Sequence, residues 1–76
     1  MGGHKVFRYL VNIERANANY SAYSPDLPGC VASGAAIKST LVQMKEAIKF
    51  HIDGLKREGA DIPEPSTRAK YIEISV

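Results

Sequence analysis

From Ile37 to Glu58 the chain reads IKSTLVQMKEAIKFHIDGLKRE, and this stretch sets the architecture. Its apolar residues Ile37, Leu41, Met44, Ile48, Ile52 and Leu55 recur at steps of 4, 3, 4, 4 and 3. That spacing lines one face of a helix. Ala47 and His51 flank the stripe, while Lys38, Lys45, Lys49, Asp53 and Lys56 fall mostly off it. Lys56 and Arg57 suit the negative end of the helix dipole, and Gly59 supplies a left-handed stop. Gly54 costs about 1 kcal/mol relative to alanine inside a helix, which suggests a close approach at that position. The start is open: Thr40 with Gln43 makes a capping box only if Ile37 stays outside the helix.

Working outward, Lys5 to Glu14 alternates with period two. Phe7, Tyr9, Val11 and Ile13 fall on one side; Arg8, Asn12 and Glu14 share the other with Val6 and Leu10. This is a strand with some apolar weight on both faces. Arg15 to Asn19 is a polar turn, and Tyr20 to Tyr23 a second strand and hairpin partner. Ser24-Pro-Asp-Leu-Pro-Gly29 is a stiff loop, because two prolines fix φ and Gly29 can take a positive φ at the exit. Cys30 to Ser33 is a third strand, ended by Gly34. Beyond the helix, Asp61-Ile-Pro-Glu-Pro-Ser66 is an extended return. Tyr71 to Val76 alternates again, with Ile72, Ile74 and Val76 opposite Tyr71, Glu73 and Ser75, and reads as a fourth strand.

The expected class is therefore α+β, in the order β-β-β-α-β, a small mixed sheet with one long helix on one face. A 22-residue helix is about 33 Å long and covers one side of such a sheet, not both. The second side is left for a copy of the chain or another protein.

With 76 residues the chain makes one domain. Residues 1–4 read as a cloning scar or disordered start, and 5–76 as the single domain. Ten Lys+Arg against eight Asp+Glu, a net charge of +2, is too mild to point to nucleic acid or anionic lipid. One cysteine forms no internal disulfide and fits a reducing, cytoplasmic setting. No run approaches the ~20 apolar residues that span a bilayer, so no membrane association is expected.

Candidate chemistry is sparse. Cys30 has no second cysteine nearby and reads as a buried strand residue. His51 sits at the edge of the helical stripe with no nucleophile placed beside it. Two apart, His51 and Asp53 point to different sides of the helix, which disfavours a shared metal. The eight carboxylates are scattered; Asp26 alone lies in a rigid loop, where turn chemistry accounts for it. No glycine-rich phosphate loop precedes the helix. Phe7, Tyr9, Tyr20 and Tyr23 could stack bases from a sheet, but they lack an interleaved basic cluster and read as core. No cofactor, no metal and no catalytic residue are expected.

Tyr20-Ser-Ala-Tyr-Ser-Pro-Asp-Leu-Pro-Gly-Cys30, then Ala32-Ser-Gly34, then a helix with Lys45-Glu-Ala-Ile48, closing in Ile62-Pro-Glu-Pro-Ser66, strongly resembles the HicB-like antitoxin domain over about Lys5 to Ser66. The resemblance implies a truncated ribonuclease-H-like fold and a homodimer or higher homo-oligomer in a prokaryotic toxin–antitoxin system. It implies a non-enzymatic role: binding a HicA-like, mRNA-cleaving toxin and covering its active surface. Many members continue into a DNA-binding domain; this chain stops at Val76, so direct DNA binding is not expected of it. Ala36 stands where the family usually has a Ser or Thr cap, a loss of about 1 kcal/mol. The carboxylate quartet of true ribonucleases H has no match here.

The expected partner contacts are the Pro25–Gly29 loop, the helix end and the 60–66 return, specifically Asp26, Leu27, Arg57, Ile62 and Glu64. Two other readings remain open on sequence. One is a stand-alone oligomeric accessory domain with no toxin partner. The other is a residual metal-dependent nuclease, which needs Asp26 and a second carboxylate within reach of one metal.

Overall fold

The computed structural model describes residues 5–76. Three strands, β1 (Asn12–Ala16), β2 (Asn19–Tyr23) and β3 (Val31–Gly34), precede one helix, α1 (Ile37–Arg57). The sheet is antiparallel in the order β1-β2-β3, with Ile13 opposite Ala22 and Ala22 opposite Ala32. Asn17 and Ala18 connect β1 to β2, and Asn17 takes a φ of 53°. Asparagine tolerates that left-handed backbone better than most residues.

Period two then puts Val11, Ile13, Ala22 and Ala32 on the face toward α1. Ala22, Leu27, Cys30 and Met44 form the buried core, with Tyr9, Val11, Ile13, Ala32, Ala47 and Ile48 packed against it. Leu27 is completely buried, so the proline-flanked loop plugs the core. The amide of Leu27 donates to the Ser24 carbonyl and that of Cys30 to the Leu27 carbonyl, both at 3.1 Å. Gly29, at φ 83°, makes the exit.

The helix begins at Ile37, so the Thr40–Gln43 capping alternative is not used. Ala36 is the N-cap, and its methyl offers no acceptor to the first turn. Ser39 compensates in part: its hydroxyl accepts from the Ala36 amide at 3.2 Å. The hydroxyl of Thr40, fully buried, donates to the Ala36 carbonyl at 2.7 Å. At the other end the Ala60 amide donates to the Leu55 carbonyl at 2.9 Å and the Gly59 amide to the Lys56 carbonyl at 3.1 Å. With Gly59 at φ 71°, this is the Schellman stop that its glycine promised.

Two expectations change along the helix. The line of burial along α1 runs through Thr40, Met44 and Ile48, while Ile37 and Leu41 stay half exposed at 49% and 43%. Gly54 makes no close approach; a Cβ there would meet nothing within 4 Å. The close approach is at Gly34 instead, where a Cβ would stand 2.7 Å from Thr40 Oγ1 and 3.0 Å from the Thr40 amide nitrogen.

The strands shift as well. Residues 5–11 carry no strand pairing, because β2 pairs only as far as Tyr23 opposite Asn12 before Pro25 turns the chain. The α+β class and the β-β-β-α order stand as read. The fourth strand at Tyr71–Val76 does not form within the chain, and the sheet is antiparallel rather than mixed. A strand needs a neighbour to pair with, and Ile72, Ile74 and Val76 remain exposed.

Candidate protein-binding site

Asp26 ties the proline-flanked loop to the chain that returns from α1. Its loop is held by Leu27 beneath it, which presents the carboxylate toward the chain returning from α1. There it accepts four hydrogen bonds. The Ser66 amide and Thr67 amide donate to Oδ2 at 3.0 and 3.1 Å, and the Ser66 and Thr67 hydroxyls donate to Oδ1 at 3.0 and 2.7 Å. Led by the Thr67 hydroxyl, these donors lower the carboxyl from its ordinary range to about 2. The sequence assigns Asp26 to local turn chemistry; its observed partners lie 40 and 41 positions away instead.

A second tie lies nearby. The Tyr9 hydroxyl donates to the Pro63 carbonyl at 2.5 Å. Burial, and then the negative charges of Asp26 and Glu64, raise the Tyr9 phenol above its ordinary value. The Tyr9 ring meets Phe7 edge-on, centroids 6.0 Å apart. Together these contacts lay residues 60–71 beside residues 5–13 in the same direction. Ile62 shares a groove with Lys5 and Phe7, Ser66 with Arg8 and Leu10, and Ala69 with Leu10 and Asn12.

The resulting groove at the C-terminal end of α1 has a volume of about 710 Å³. Phe7, Tyr9, Ile48, Ile52 and Ile62 supply apolar wall, while Lys5 and Lys56 stand with Asp61 and Glu64 at its edge. An open, apolar depression edged by both signs of charge suits a protein surface better than a small polar metabolite.

Of the five expected contact residues, Ile62 and Glu64 line this groove, and Arg57 is exposed at the last turn of α1. Leu27 faces inward and presents no side chain to a partner. Asp26 is taken up by Ser66 and Thr67. The structure thus brings Ile62 and Glu64 together and separates them from Leu27. Sequence reasoning missed Ser66 and Thr67 as partners of Asp26, since an ordinary Ser-Thr pair carries no local signal of a carboxylate forty residues upstream.

The remaining candidates fall to the core or to open surface. Cys30 is buried, and burial raises its thiol above the ordinary value, away from the nucleophilic thiolate. His51 is half-buried and lines an open groove of about 420 Å³ with Phe50 and Leu55. Among the described residues no three His, Cys, Asp or Glu side chains come together as a metal-holding group. Among them, too, no helix is long and apolar enough to cross a membrane.

Comparison with known proteins identifies the family. Residues 9–74 match the family described as HicB_like antitoxin of bacterial toxin-antitoxin system. An uncharacterized 14.9 kDa protein from the rep-hol intergenic region of Haemophilus phage HP1 is 34% identical over 64 residues, 84% of this chain and 48% of the phage protein. The UPF0150 protein Ta0767 of Thermoplasma acidophilum is 37% identical over 57 residues, 74% of this chain and 83% of the Thermoplasma protein. The chain thus spans about half the length of the phage relative.

Proposed function

Because this chain belongs to the HicB-like antitoxin family of bacterial toxin–antitoxin systems, we propose that it silences a HicA-like, mRNA-cleaving toxin by direct contact, without catalysis of its own. The family match over residues 9–74 carries the reading. The groove formed by Phe7, Ile52, Ile62 and their neighbours supports it, as an apolar anchor site with a charged rim. Lys5 and Lys56 on one hand and Asp61 and Glu64 on the other fix the orientation of a partner. Covering the toxin's RNA-binding face is sufficient for inhibition, so no reactive group is required of the antitoxin.

The nuclease alternative needs Asp26 and a second carboxylate at one metal. Asp26 already accepts four hydrogen bonds from Ser66 and Thr67. The accessory-domain alternative differs in having no toxin to bind.

Co-expression tests the proposal. The product of the neighbouring reading frame is expected to co-purify with this chain and to stop arresting growth in its presence. Ile62→Asp is expected to weaken that complex by about 1–3 kcal/mol, the range of a buried contact residue, as read by calorimetry. No complex with any small ribonuclease encoded beside it would leave the accessory reading in its place.

A further inference from the structure

Ile72 and Ile74 are 81% and 72% exposed, and Val76 is fully exposed. Yet they alternate with Tyr71, Glu73 and Ser75, so an extended backbone puts all three on one side. A freely solvated segment has no use for such a pattern. Their point of departure is fixed, because Asp26 holds Ser66 and Thr67 and Ala69 to Tyr71 still lie against Leu10 to Ile13.

A groove of matching character opens between residues 7–11 and α1. It measures about 240 Å³, with Phe7, Val11, Leu41 and Ile48 in its walls and the exposed Lys45 and Lys49 beside them. Leu41 is half exposed here for want of a neighbour.

We infer that residues 71–76 of one protomer lie in this groove on a second copy, reciprocally. Ile72, Ile74 and Val76 face the apolar wall, and the ammonium groups of Lys45 and Lys49 reach over the arm to the Glu73 carboxylate. A second copy is the fitting occupant because each chain carries one donor arm and one acceptor groove of opposite charge. A two-fold exchange therefore satisfies both at once and closes. This inference stands apart from the toxin reading, since it concerns the chain alone.

Sedimentation equilibrium of the full chain without toxin is expected to show a dimer. Ile72→Asp combined with Ile74→Asp is expected to weaken association at least tenfold, with unchanged far-ultraviolet circular dichroism. Glu73→Lys is expected to weaken it as well, and Lys45→Glu with Lys49→Glu in the same chain to restore it. Independently, chains carrying Ile74→Cys mixed with chains carrying Leu41→Cys are expected to form a disulfide-linked heterodimer on oxidation. A monomeric parent chain, or a dimer indifferent to both aspartates, would overturn the inference. So would arm variants that keep their dimer and lose only a co-purifying toxin.

Discussion

Thr67 donates its hydroxyl to Asp26 across 2.7 Å, with 41 positions of sequence between them. The bond belongs to a four-donor cradle that closes the returning chain onto the proline-flanked loop. Its strength rests on the carboxylate being ionised, and this makes the closure sensitive to acid.

The sign follows from linkage. A carboxyl held at about 2 in the folded chain and near 3.9 when unfolded stabilises the fold fully above the unfolded value. That stabilisation is lost as pH falls through the folded one. Asp26→Asn is therefore expected to lower the urea midpoint at pH 7. Its deficit relative to the parent should shrink steadily between about pH 4 and pH 2. A deficit that stays constant across that window would mean that charge plays no part in the closure.

Tyr9→Phe removes the hydroxyl that reaches the Pro63 carbonyl and leaves the ring in place. The expected loss is about 0.5–1.5 kcal/mol, the ordinary net worth of one hydrogen bond. Chemical denaturation measures it. Amide exchange is expected to accelerate in residues 60–67 ahead of α1.

Gly34→Ala tests the contact between β3 and the first turn of α1. The new methyl would stand 2.7 Å from Thr40 Oγ1 and 3.0 Å from a backbone nitrogen. Rotating the hydroxyl away relieves only the first clash. A destabilisation of about 1–3 kcal/mol is expected, as for other overpacked sites. Adding Thr40→Ala should recover only part of it.

Leu27→Ala and Leu41→Ala separate core from surface. Leu27 is completely buried and Leu41 is 43% exposed. Loss of the first is expected to cost about 2–5 kcal/mol. The second should cost the isolated protomer under about 1 kcal/mol. Thermal unfolding at a concentration low enough to dissociate any oligomer distinguishes them. Equal losses would contradict the packing described for the loop.

Much of this fold was legible because its signals are local. The steps of three and four from Ile37 to Leu55, the glycine at position 59 and the prolines around Asp26 each act within a few residues, and they fixed the helix, its stop and the rigid loop. Pairing was less legible. Alternation at Lys5–Glu14 and at Tyr71–Val76 reports an extended backbone, but a ladder needs a partner alongside, and in the protomer only Asn12–Glu14 of the first stretch has one. The candidate site divides in the same way. Ile62 and Glu64 were readable as members of the extended return after the helix, whereas the capture of Asp26 depends on chain that arrives forty positions later.

That late arrival gives the molecule a built-in order of opening. β1 to α1 hold one another through neighbours close in sequence. Residues 60–71 are fastened by a few bonds that span most of the chain, at Tyr9 and at Asp26. Releasing those fastenings frees the last segment while the hairpins and helix remain wrapped around Met44. A protease acting on the intact protein would then trim it from this side first, leaving a folded remnant stripped of the 60–66 return.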